Sequence, residues 1–160
     1  MEIGKIKNTE IMNGDWVLFN GKPVQIAAVS EFNDMVAYFD NDIGQILDAD
    51  INVIQPIPIT HDILNKNGFV CKDVWHGIVE HKYTEHIKDN IGYKGLKFST
   101  NNELVIEMCK DTDEVRNIKL KAFNKSGAFE MSIVKPCDTH YVHELQHALK
   151  TCGFDKKIEL

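Results

Sequence analysis

Short apolar runs separated by polar turns fill most of this chain, and a longer helical period appears near the C-terminus. Residues 15–29, DWVLFNGKPVQIAAV, place two apolar runs around Asn20-Gly21. That pair suits the positive φ angles of a type I′ hairpin turn. Further short runs follow at 35–39, 45–47 and 51–54, with polar turns around Asn33-Asp34 and over 40–44. About five short strands with turns between each predict an SH3-like small β-barrel over residues 1–55. Closure of such a barrel would remove most exposed edges.

Residues 55–60, QPIPIT, break the pattern. Pro56 and Pro58 have no N–H for a sheet ladder and favour an extended path, so residues 56–60 are expected to form a hinge. Thr60 is placed to cap a short helix over 61–67. Leu64-x-x-x-Gly68-Phe69 then carries helix-stop chemistry, with glycine in the left-handed region and phenylalanine folding back onto leucine. Leu149-x-x-x-Gly153-Phe154 repeats it.

Residues 61–160 read as an α+β unit. A strand is expected over 77–83 and a helical turn over 84–91. Four runs follow, at 93–98, 103–109, 115–123 and 129–134, and their short polar links predict an antiparallel meander. Over 140–152 the spacing is helical: at 100° per residue Tyr141, Leu145, Ala148, Leu149 and Cys152 form one apolar stripe. That stripe is expected to cover the open face of the meander. The predicted fold class is therefore α+β: an N-terminal SH3-like barrel, then an antiparallel meander packed against a C-terminal helix.

The chain has 160 residues, 43% of them hydrophobic and 26% charged, enough for a core that needs neither disulfide nor metal. The net charge of −6, with Arg116 as the sole arginine, argues against a general nucleic-acid binder. Cys71, Cys109, Cys137 and Cys152 form no C-x-x-C pair, so zinc-ribbon spacing is absent. The opening MEIGKIK lacks an apolar leader core, and no apolar run approaches the ~20 residues of a membrane span. A cytoplasmic protein with free thiols, and no membrane partner, is expected.

His143-Glu144-Leu145-Gln146-His147 is H-E-x-x-H. On a helix the two histidines share a face and could hold zinc, with Glu144 as general base on a metal-bound water. A third ligand is needed. No H-x-x-G-x-x-H extension follows, and beyond His147 only Asp155 and Glu159 are carboxylates. His76, His81 or His86 upstream could complete the set. The wheel places His140, His143 and His147 opposite the apolar stripe, which reads as a solvated polar face rather than a cleft. Cys137 beside Asp138 and near His140 has no residue placed to activate it, and reads as a free thiol. Trp16 and Trp75 read as packing aromatics. G-x-G-x-x-G, P-loop and G-x-S-x-G motifs are absent.

Three segments, 11–17 (IMNGDWV), 56–69 (PIPITHDILNKNGF) and 141–160 (YVHELQHALKTCGFDKKIEL), resemble a family of small uncharacterised proteins from bacterial mobile elements and phages. That family carries a G-[ND]-x-V strand, a P-[IL]-P-[IL]-T segment before a short helix, and a Y-V-H-x-L-Q helix. The resemblance implies no activity. His147 stands where the family pattern typically has Asn, which leaves His143 better suited to a structural contact than to a ligand. The sequence therefore points to a non-enzymatic binding or accessory module with a protein partner and no cofactor. The alternatives are a zinc-dependent hydrolase using His143, Glu144 and His147, and a nucleic-acid binder acting through the barrel.

Overall fold

The structure, a computed structural model, describes residues 6–76, 79–87, 92–93, 96–97, 102–109, 113–124, 127–132, 141–152 and 156–160. The chain divides into two compact units. The first is Met1–Pro58 with Tyr141–His143, and the second is Ile59–His140 with Glu144–Leu160.

The first unit is built on five strands: β1 (Trp16–Phe19), β2 (Lys22–Val29), β3 (Met35–Asp40), β4 (Gln45–Asp50) and β5 (Ile54–Pro56). They form one antiparallel sheet in the order β4-β3-β2-β1-β5. Asn20 and Gly21 have φ of 50° and 75°, so the β1–β2 turn is type I′ and Phe19 pairs with Lys22 directly across it. The β3–β4 turn is closed by Asp40, whose Oδ1 accepts the N–H groups of Asp42 at 2.8 Å and Ile43 at 3.3 Å. Gly44 completes that turn at φ 66°. Alternate residues of the strands face inward, and Val17, Val24, Ile26, Val36, Tyr38, Ala49 and Ile54 are buried there with Ile51.

Two expectations for this unit change. Of residues 51–54, expected as a strand, only Ile54 is in one. Ile51–Val53 is a 3-10 turn whose N-cap, Asp50, accepts the Asn52 N–H at 2.8 Å. The fifth strand starts at Ile54 and runs through Pro56, which pairs with Val17. Proline is tolerated there because β5 is an edge strand. The second change concerns closure. The 3-10 turn carries the chain from β4 at one edge to β5 at the other, and no pairing joins those two strands among the described residues. The unit is an antiparallel sheet with two edges.

The second unit begins with α1 (His61–Lys66). Thr60 Oγ1 caps it by accepting the Ile63 N–H at 3.2 Å. The stop follows the expected chemistry bond for bond. Gly68 has φ 73°, its N–H donates to Asn65, and the Phe69 N–H donates to Leu64, each at 3.0 Å. Leu64 and Phe69 are both buried. The repeat at Gly153-Phe154 lies outside the described residues.

Strands β6 (Val70–His76), β7 (Val79–Ile87), β8 (Gly92–Tyr93), β9 (Leu96–Lys97), β10 (Asn102–Met108), β11 (Val115–Asn124) and β12 (Gly127–Ser132) follow, then helix α2 (Val142–Thr151). The main sheet is antiparallel in the order β12-β11-β10-β7-β6, and among the described residues β8 pairs only with β9. The meander is thus present, with three differences. Residues 70–76, VCKDVWH, lack period-two alternation yet form β6. Residues 84–87, the described part of the helical turn expected over 84–91, extend β7: all four pair with β10, and Thr84 also pairs with Val70 of β6, so sheet pairing overrides local preference. Residues 93–98 do not form one strand but contribute to the small β8–β9 hairpin. Leu104 faces Leu120 and Ile106 faces Ile118 across β10–β11, all four buried. The chain is α+β with a C-terminal helix whose Leu145, Ala148, Leu149 and Cys152 are buried, matching most of the expected stripe.

Candidate functional site

Helix α2 carries the H-E-x-x-H motif, and its first turn is anchored within the first unit. Tyr141 forms an antiparallel bridge with Pro58, and the Val142 N–H donates to the Ile57 carbonyl at 2.8 Å. The two segments P-I-P-I-T and Y-V-H-x-L-Q, some eighty residues apart, therefore meet backbone to backbone. His143 is only 4% exposed, and its ring stacks on Tyr141 with centroids 5.8 Å apart and planes 8° off parallel. The solvated-face reading is corrected for His143. The apolar stripe sets burial along the rest of the helix, whereas Tyr141–His143 belong to the first unit.

Glu144 and His147 are half-buried, and each takes part in further interactions. Among the described residues no group of three or more His, Cys, Asp or Glu side chains could hold a metal ion. His76, His81 and His86 lie on β6 and β7, outside the residues whose side chains are described, and His140, Asp155 and Cys137 lie outside the described residues. Glu159 is engaged through its backbone: its N–H donates to Asn67 Oδ1 at 2.9 Å, and its carbonyl accepts from Asn67 Nδ2 at 2.7 Å. Cys152 is fully buried, and burial pushes its thiol up to about 11. Cys109 Sγ donates to Glu114 Oε2 at 3.5 Å, and Cys71 is exposed.

The outward face of the first unit's sheet is chemically distinct. A row crosses four strands at one level: Trp16 opposite Gln25, Gln25 opposite Phe39, Phe39 opposite Ile46. Phe39 is 40% exposed, Ile46 62% and Ile43, in the adjoining turn, 56%. One level along, Ala28 faces Ala37 and Ala37 faces Asp48; next, Met35 faces Asp50. An apolar strip is thus edged by exposed carboxylates on β4. At the turn end Asp42 meets Lys22 at 2.6 Å, and that hydrogen bond and charge hold Asp42 below the usual aspartate range. A concavity of about 240 Å³ lies beside this pair, lined in part by Phe19, Tyr38 and Asp40. That volume is under the ~300–1,000 Å³ of ordinary small-molecule sites. A shallower hollow of about 500 Å³ between Thr9–Asn13 and Val29–Glu31 has Glu31 as its one charged lining residue. The sequence marks residues 35–39 and 45–47 as short apolar runs but singles out none of Phe39, Ile43, Ile46 or Asp48; the available signal was the apolar residues flanking the polar turn at 40–44.

A scan of family models, a search of curated proteins and a search of solved structures each found no match to the chain.

Proposed function

We propose that this chain is a non-enzymatic binding module whose first unit presents an acidic, apolar sheet face to a protein partner. The observation that carries the reading is the exposed Phe39–Ile46 pair beside the carboxylates of β4. The strand order β4-β3-β2-β1-β5, with a 3-10 turn just before the last strand, supports an SH3-like reading of that unit. The three motif segments resemble those of a family of small uncharacterised proteins from bacterial mobile elements and phages, which fits an accessory role. Charge favours a protein partner over nucleic acid. Residues 1–58 hold nine carboxylates and three lysines, whereas residues 59–160 hold fifteen groups of each sign. The whole excess of −6 therefore belongs to the first unit, where it would repel phosphates.

The test is selection of binders from a random peptide display library on the full chain. Recovered peptides rich in cationic and apolar residues, which lose affinity for a Phe39→Ala/Ile46→Ala variant of unchanged circular dichroism, support the reading. Binders indifferent to that variant, or turnover of peptide or nucleic-acid substrates, would sink it.

A further inference from the structure

Resting on the binding reading above, we propose that the partner is an extended protein segment that adds as a sixth strand to the open edge of β4, with basic and apolar side chains at alternate positions. β4 ends the strand order, and its outer side pairs with no strand among the described residues. Alternate residues of an edge strand direct their N–H and C=O groups outward, a template for another extended chain. Edges are commonly blunted by proline, lysine, a bulge or shortness. β4 reads QILDAD over six residues, paired to β3 without a register shift, and holds none of these.

Its guards are acidic. Asp48 and Asp50 share the outward face with Ile46, at every second position. Asp48 makes no ion pair among the described residues, and Asp50 accepts from Asn52 only. Pairing β4 with β4 of a second copy would set these carboxylates against one another, and like charges across strands are destabilising. A strand with lysine or arginine beside Asp48 and Asp50 gains from the same charges. An apolar residue in step with them would lie beside Ile46 and extend the row from Phe39. The excess of −6 on residues 1–58 draws such a segment in and discourages acidic ones. The recognition pattern is therefore basic-x-basic-x-apolar, read in either direction according to whether the added strand is antiparallel or parallel.

The test uses fluorescence anisotropy with the full chain and three labelled synthetic peptides. The parent alternates threonine with two lysines and an isoleucine. The second has glutamate for lysine, and the third is the parent N-methylated on alternate backbone amides. The parent is expected to bind, the glutamate form to fail, and N-methylation to abolish binding. Asp48→Lys is expected to weaken the parent roughly fivefold and to restore affinity for the glutamate peptide. Parent and N-methylated peptides binding alike, with loss in Phe39→Ala/Ile46→Ala, would overturn strand addition while leaving face binding intact. Peptide binding indifferent to every variant would overturn both. If no peptide binds and the protein alone self-associates in sedimentation, reversed by Asp48→Lys or not, the edge belongs to a second copy and the proposal fails.

Discussion

Asn67 ties the C-terminal tail down through its side-chain amide. Both Nδ2 hydrogens are used, one on the Ile63 carbonyl at 2.8 Å and one on Glu159, while Oδ1 takes the Glu159 N–H. The residue is 8% exposed, so removing the amide leaves buried backbone groups without partners. Asn67→Ala is expected to cost about 1–3 kcal/mol in urea denaturation and to speed exchange of the Glu159 amide. Lys66, which donates to the Leu160 carbonyl, and Lys156, 4.9 Å above the Phe69 ring, are exposed or half-buried additions to that clamp. At Gly68 open space surrounds the Cα, so Gly68→Ala tests φ alone, and about 1–2 kcal/mol should be lost. His143 belongs to the same class of buried polar residue. His143→Ala should destabilise by at least about 2 kcal/mol, as truncation of a packed ring does, while His147→Asn leaves both stability and metal content unchanged by elemental analysis. One zinc per chain, lost in His147→Asn, would instead revive the hydrolase reading.

Elements with strong local chemistry were legible before the structure, and those set by pairing were not. The type I′ turn at Asn20-Gly21, the Thr60 cap and the Gly68 stop each depend on a few adjacent residues, and each forms as read. β6 depends on β7 for its existence, and the 3-10 turn at Ile51–Val53 depends on one capping carboxylate. Neither shows in alternation. His143 failed for a related reason: a helical wheel ranks faces relative to one neighbour, and the Tyr141–Pro58 bridge brings in another segment of chain. The Asp50 cap gives the 3-10 turn a pH dependence. The Asn52 backbone N–H, then its side chain, hold the Asp50 carboxyl below the ordinary 3.8. The stabilisation is present above 3.8 and is lost as the pH falls through the lowered folded value. Denaturation midpoints of wild type should therefore fall in that acid range more than those of Asp50→Asn. Burial gives Cys152 the opposite behaviour: with its thiol near 11, it should be alkylated last in the native protein, well after exposed Cys71.

Across the whole molecule the asymmetry is one of charge. Composition alone shows −6; only its division between residues 1–58 and the rest shows where a partner would feel it. That field, the exposed Phe39–Ile46 row and the open β4 edge coincide in one unit, and among the described residues no helix is long and apolar enough to cross a membrane. Association should accordingly weaken with salt, since exposed charges are screened beyond about 8 Å at physiological ionic strength. The most direct measurement is amide hydrogen exchange of the full chain, alone and saturated with a library-selected binder. Added protection is expected to concentrate over residues 35–50 and to be greatest on β4. Protection centred on α2 around His143 to His147, with β3 and β4 unchanged, would contradict it.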